Sequence, residues 1–219
     1  NLILTENIKP GNVIVGLASY GKATYEDEYN SGISSNGLTS ARHDLLSKYY
    51  AKKYPETYDD FISSSLVYSG SKKMTDELEG TTLNIGKAVL SPTRTYTPVI
   101  KKVLEEIPGQ ITGLVNCTGG AHTKVLHYIE NLRIVKNNLL PVPPLFKLIQ
   151  KESKTNWKEM FKVLKCGTRL EIYVDEKYAS LIIDVAQSFG IAAQIIGYVE
   201  AKEKSEVIIK GEYGEYLYQ

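Results

Sequence analysis

The sequence predicts an α+β domain, a layered α/β arrangement in which a mixed β-sheet is flanked by helices. Three observations predict it. Short apolar runs rich in β-branched residues, such as Val13-Ile14-Val15-Gly16-Leu17, recur along the chain as buried-strand signals. Between them, apolar residues fall at three- and four-residue spacings, the helical period. The two patterns alternate from end to end, as they do when helices are layered on a sheet. Residues 1–219 read as a single domain, because no internal repeat, low-complexity tract or linker divides them.

Residues 1–12 end in Lys9-Pro10-Gly11-Asn12, a turn that delivers the chain into the strand at 13–17. A loop dense in Gly, Ser and Asn follows, with an acidic, tyrosine-rich excursion at 25–29. Leu38, Ala41, Leu45, Leu46 and Tyr49 then predict a helix over 38–53, ended by Tyr54-Pro55 because proline cannot continue it. Residues 56–80 are polar and weakly periodic, and they read as an insertion with one short strand at 66–68. Val99, Val103, Leu104 and Ile107 mark a helix stopped by Pro108-Gly109. Residues 111–115 form a buried strand, and a helix is expected over about 122–131. Beyond an extended, proline-rich segment at 139–144 come helices at 145–150 and 157–163 and a strand at 169–174. Asp175 is placed to cap a helix over 178–189 that closes at Gly190, a residue suited to the left-handed position after a helix. Strands at 192–199 and 206–209 finish the chain, turned through Lys202-Glu203-Lys204.

Composition narrows the function. A net charge of +1 gives no electrostatic footprint for nucleic acid or an anionic membrane surface, so neither is expected as a partner. No apolar run approaches a membrane span. The start, Asn1-Leu2-Ile3-Leu4-Thr5-Glu6-Asn7, lacks the basic and apolar regions of a signal peptide. It also lacks an initiator Met, so the chain is expected to have been processed or cut from something longer. Cys117 and Cys166 form no metal-ligand spacing, and a reduced, cytoplasmic location is the simplest expectation.

Four glycine- or hydroxyl-rich junctions stand out, at 16–21, 34–37, 91–94 and 118–120. Ser35-Asn36-Gly37 and Thr118-Gly119-Gly120 each lie between a strand and a helix, where free backbone N–H groups gather around an anion. Ser35 and Asn36 are equally good helix caps, and the sequence leaves that choice open. Neither stretch matches a phosphate loop or a dinucleotide fingerprint. Arg42 and Arg94 are placed to bring guanidinium groups to a phosphate, though each also suits a solvated surface. Among the histidines, too scattered for a metal site, His122 beside the Thr-Gly-Gly turn is the best proton-transfer candidate, against the simpler reading of an ordinary polar histidine. Cys117 lies beside the same turn and is either an activated thiol or a small buried residue. Glu26-Asp27-Glu28 offers carboxylates for Mg²⁺ or simply a solvated loop.

Taken in order, Gly11 to Gly21 and Ser35-Asn36-Gly37…Arg42 resemble the pattern that opens the C-terminal domain of phosphoribosylformylglycinamidine cyclo-ligase, also called aminoimidazole ribonucleotide synthetase. Leu90-Ser91-Pro92-Thr93-Arg94-Thr95-Tyr96 resembles that family's L-T-P-T-R-x-Y, Thr118-Gly119-Gly120-Ala121 its T-G-G-G, and Phe146-Lys147-Leu148-Ile149-Gln150 its F-x-L-I-Q. The strand at 169–174 and the close at Ile196-Gly197-Tyr198-Val199 resemble further family segments, so the likeness covers nearly the whole chain. It implies an ATP- and Mg²⁺-dependent closure of formylglycinamidine ribonucleotide to the imidazole of purine biosynthesis. It also implies a partner N-terminal domain that carries most of the ATP contacts and dimerises, so that this chain is the substrate-binding half and lacks full activity alone. Ser35, Asn36, Gly37, Thr118, Gly119 and Gly120 would line the substrate side of the cleft, with Arg42, Thr93 and Arg94 nearby. The chain departs from the pattern at Ser34, where many members have His, in a longer loop over 22–33, and at Ala121. The general base is therefore open, with His122 and Glu28 the available groups. Selenophosphate synthetase, thiamine-monophosphate kinase and the hydrogenase-maturation protein of the same superfamily are the alternative enzymes. A non-catalytic domain that binds a nucleotide or a protein is the alternative outside them.

Overall fold

A computed structural model describes residues 3–219; Asn1 and Leu2, on which part of the signal-peptide reading rests, lie outside it. Seven strands form one mixed sheet: β1 (Asn12–Ala18), β2 (Ile111–Asn116), β3 (Leu132–Lys136), β4 (Thr168–Asp175), β5 (Ala193–Ala201), β6 (Glu206–Gly211) and β7 (Gly214–Tyr218). Their spatial order is β2-β4-β1-β5-β3-β6-β7. Only β3 and β6 run parallel; every other neighbouring pair is antiparallel. All seven residues of β1 are buried, so the sheet is covered on both faces there. A continuous apolar run with no alternation is the sequence form of such a strand.

Helices α1 (Leu38–Leu45), α2 (Lys48–Lys53), α3 (Ile85–Val89), α4 (Thr97–Glu106), α5 (Pro144–Ser153), α6 (Trp157–Val163) and α7 (Ala179–Ser188) supply the cover. α7 lies along β1 and β5 and packs on α4, while α1 packs on α5 and α3. Among the described residues no helix is long and apolar enough to cross a membrane.

The α+β architecture follows the expectation, with local differences. The helix predicted over 38–53 is broken at Leu46-Ser47, where Leu46 turns extended and bridges to Lys72. The strand expected at 66–68 is a turn: Tyr68 has φ 44, its N–H donates to His43 Nδ1, and its ring packs on that imidazole. The helix expected over 122–131 is a 3-10 segment, Ala121–His127, after which the chain enters β3. Asp175 does not cap through its side chain; its Oδ1 accepts from Asn12 Nδ2 at 3.1 Å. The strands at 193–201 and 206–211 are not neighbours: β3 lies between them, and β7 adds a further strand. The short helix α3 was not anticipated.

Candidate functional site

β1 and β2 finish, and β4 begins, at the same end of the sheet. Ala18 is paired with Thr168 and Asn116 with Leu170. The loops that leave this end are therefore neighbours, and Ser19 N–H donates to Gly167 O (2.8 Å) while Cys117 N–H donates to Arg169 O (2.7 Å). Antiparallel register thus brings two of the four small-residue junctions, 16–21 and 118–120, to one end of the sheet.

The junctions at 16–21 and 91–94 are tied by Arg94. Its Nε and Nη2 donate to the two Glu26 oxygens (2.8 and 2.5 Å), and Nη1 and Nη2 donate to the carbonyls of Ala18, Tyr20 and Gly21 at 2.8–3.1 Å. A guanidinium has five N–H donors, and all five are committed inside the protein. The Arg94 side chain is fully buried. Arg94 is thus a clamp on the 18–26 loop, with no donor left for a ligand. Tyr96 Oη donates to Ala18 O, Asn30 Nδ2 to Pro92 O, and Ser31 Oγ to Ala88 O, so the two segments are stitched along their length.

The other two junctions face each other. Asn36 Nδ2 lies 3.1 Å from where a Cβ on Gly119 would stand, which places its amide against the backbone of the Thr-Gly-Gly turn. Neither Ser35 nor Asn36 caps α1: the N-cap is Gly37, in the left-handed conformation with φ 79, and no side chain bonds to the helix start there. Gly37 is held to glycine twice over, since a Cβ would also stand 2.4 Å from Leu164. Gly120 likewise opens its 3-10 segment in the left-handed region. Thr118 Oγ1 accepts from Lys124 Nζ at 2.8 Å. Ser35, Asn36 and Gly119 are exposed, while Gly37, Thr118 and Gly120 are half-buried. Arg42 is apart from this group, near the C-terminal end of α1, where Nη2 reaches Thr57 O at 3.5 Å.

Behind the facing junctions lies a buried polar cluster that sequence reasoning only partly saw. Lys165 Nζ donates to Ser34 Oγ at 2.5 Å, and both residues are buried. Burial, helped by the charge of Arg169, pushes the Lys165 ammonium down to about 8. The signal for it was a lysine in Val163-Leu164-Lys165-Cys166, a run otherwise apolar. His122 is 1% exposed, edge-on to Phe161, and neither ring nitrogen makes a well-formed hydrogen bond. Burial, then the Lys136 ammonium, push its pKa down to about 3, against a small opposing pull from the Lys165 backbone. An imidazole held neutral this firmly is a weak base at neutral pH. Lys136 donates to His122 O and to Glu171, and Tyr173 Oη donates to the other Glu171 oxygen. Cys117 is fully buried, and burial raises its thiol pKa, which favours the small-residue alternative over an activated thiol.

Among the described residues, no three His, Cys, Asp or Glu side chains come together as a metal site. Glu26 is held by Arg94 and the Ala23 N–H, and Glu28 pairs with Lys87 at 3.3 Å, so the acidic run does not act as one unit.

No protein-family model matches the chain. It is 32% identical over 213 residues to a phosphoribosylformylglycinamidine cyclo-ligase of Methanococcus vannielii, covering 97% of this chain and 50% of the relative. It is 30% identical over 198 residues to the Methanocaldococcus jannaschii protein of the same name, covering 90% and 47%. The chain thus spans about half the length of the curated relatives it matches. Among solved structures, hydrogenase maturation protein HypE superposes with TM-score 0.54 at 13% identity, over 99% of this chain and 55% of that one, a likeness of fold.

Proposed function

The chain belongs to the phosphoribosylformylglycinamidine cyclo-ligase family, as the counterpart of its C-terminal domain, and from that premise we propose that it is the substrate-binding half of an ATP-dependent enzyme closing formylglycinamidine ribonucleotide to aminoimidazole ribonucleotide. The observation that carries this reading is the meeting of Asn36 with Gly119, which unites two family motifs 83 positions apart (119 − 36) at one end of the sheet. Backbone N–H groups at Gly119 and Gly120 and the Asn36 amide suit a phosphorylated substrate. Ser35, Gly37 and Thr118 complete that wall.

In this reading Arg94 and Thr93 act at one remove. Arg94 fixes the 18–26 loop, and Thr93 belongs to the segment that the clamp holds. Arg42, which reaches Thr57, is no longer placed with the substrate. Ser34, where the resemblance places the family's histidine, is bonded instead to Lys165. With an ammonium pKa near 8 Lys165 supplies the group best suited to hold or move a proton close to the ring-closing atoms. ATP, bound mainly by the half of the relatives that this chain does not span, activates the formyl oxygen by phosphoryl transfer. Among the described residues the carboxylates do not group as a Mg²⁺ site. Positioning accounts for much of the acceleration in such reactions. A homodimer in the cytoplasm, formed through the other half, completes the proposal.

The test is ADP release from ATP on addition of formylglycinamidine ribonucleotide, by this chain joined to an N-terminal half from a relative. Substrate-dependent release is the expected result. A folded, Mg²⁺-supplied protein that binds ATP yet releases no ADP would refute the assignment.

A further inference from the structure

One buried cation at this end of the sheet is not absorbed by the reading above. Arg169, the second residue of β4, is 5% exposed, and its Nε and Nη1 are buried with no hydrogen-bond partner. Burial pulls its pKa down, and no carboxylate stands close enough to oppose that. The two buried or half-buried carboxylates at this end of the sheet are engaged elsewhere, Glu26 by Arg94 and Glu171 by Lys136. A buried polar group without a partner demands an explanation, and an unpaired buried charge costs more than any other kind.

Arg169 lines a cavity of about 880 Å³ whose other walls supply the rest of a binding site. Ile100 and Leu104, on α4, and Leu170 give it an apolar floor. Asn116 and Thr97 add polar groups, and Thr97 begins α4, a ten-residue helix whose first N–H donates only a long bond, 3.4 Å, to Thr95 Oγ1. Glu105, also on the lining, is in reach of Lys101 at 4.0 Å, so the rim adds no net charge of its own. An apolar cavity of this size with a few convergent polar groups has the form of a small-molecule site. A forked guanidinium matches a phosphate or carboxylate, and the positive end of a helix favours the same charge.

We propose that this cavity binds a small molecule carrying a phosphate or carboxylate, the oxyanion on Arg169 and an apolar or aromatic body on Ile100, Leu104 and Leu170. The cavity shares no lining residue with the Asn36–Gly119 wall and is read out by binding alone, so it stands or falls separately from the cyclo-ligase reading.

The experiment titrates the chain with inorganic phosphate, phenyl phosphate and benzoate, following affinity by calorimetry and thermal stability with chloride at matched ionic strength. Saturable binding of phenyl phosphate, tighter than inorganic phosphate, is expected. Benzoate in its place would assign a carboxylate ligand to the same site. In Arg169→Met the affinity should fall about ten- to a hundred-fold, the equivalent of one or two charge-assisted bonds. Without probe, that variant should melt no lower than the parent, because an unpaired buried charge is gone. Arg169→Lys, which keeps the charge but loses the fork, should still fold and bind at least about tenfold more weakly. Absence of saturable binding by all three probes would overturn the proposal, and so would an affinity unchanged in both variants.

Discussion

Replacing Arg94 by Met tests whether the loop junctions are positioned by a clamp. The change removes a fully buried guanidinium together with five hydrogen bonds. Ala18 O keeps Tyr96 Oη and Gly21 O keeps the Asn30 N–H, but Tyr20 O loses its donor and the Glu26 carboxylate, 13% exposed, its countercharge. Removing one partner of such a pair costs about 3–5 kcal/mol. In a chain of this size that corresponds to a fall in Tm of about 6–20 °C. The pH dependence gives a second, sharper readout. Burial alone would raise the Glu26 pKa, but the bonds from Arg94 and the Ala23 N–H outweigh it and hold the carboxyl below its usual value. A group depressed in the native state contributes stability that is fully present above its unfolded pKa and is lost as pH falls through the native one. Without Arg94 burial prevails, the Glu26 pKa rises, and the sign of its contribution reverses. Urea unfolding at pH 7 and pH 4 should therefore show the penalty of Arg94→Met shrinking on acidification. The double variant Arg94→Met, Glu26→Gln should be less damaged than the sum of the single changes. A penalty below about 1 kcal/mol, or one equal at the two pH values, would refute the clamp.

Three further outcomes are expected. Asn36→Ala should leave stability within about 0.5 kcal/mol of the parent, because Asn36 caps nothing, while lowering affinity for formylglycinamidine ribonucleotide; a loss near 1 kcal/mol in stability with unchanged binding would return Asn36 to a capping role. Lys165, pushed down to about 8, is disfavoured as a cation in the native state, so stability should rise as pH climbs from about 8 toward its unfolded value; Lys165→Met should flatten that limb, and identical alkaline profiles in differential scanning calorimetry would sink the assignment. His122, neutral down to about 3, should make the fold acid-labile, since the unfolded chain gains its proton below about 6.5; urea midpoints of His122→Leu should fall less steeply than the parent's between pH 6 and 4, and parallel curves would mean that other groups control the acid limb.

What was legible in the sequence followed the kind of signal each element carries. β1 is an interior strand buried on both faces, and its unbroken apolar run identified it, while in β4 Leu170, Ile172, Tyr173 and Val174 carried the signal past Arg169 and Glu171. β3 was missed because Arg133 and Lys136 interrupt its apolar pattern. Lys136 is nevertheless fully buried, tolerated only because Glu171, a distant residue on β4, neutralises it. No window of local sequence contains that partner. The extended residue at Leu46 is also a tertiary effect, since the helical spacing runs straight through it and the bridge to Lys72 decides. At the site, the glycine-rich turns were visible as motifs, yet their grouping was not. Asn36 meets Gly119, and Arg94 meets Glu26, only through the β1–β4–β2 register. That register is a long-range property, and sequence spacing says nothing of it.

The charge distribution at this end of the sheet bears on both functional readings. Nearby carboxylates are each matched to a cation: Glu26 to Arg94, and Glu171 to Lys136. Lys165 and Arg169 remain, both buried, and among the described residues neither forms an ion pair. Burial pulls both down, and the charge of Arg169 lowers Lys165 further. With a net charge of only +1, the whole chain does not explain a local surplus of two. Folding alone would favour their replacement by apolar residues, since uncompensated buried cations cost stability. Their presence in a cluster bordered by exposed backbone turns is what binding of an anion requires. If both cations serve that end, Arg169→Met and Lys165→Met should each stabilise the ligand-free chain, and the double variant should lose the stabilisation that phenyl phosphate confers on the parent. A double variant less stable than the parent without ligand would show instead that the two cations are structural.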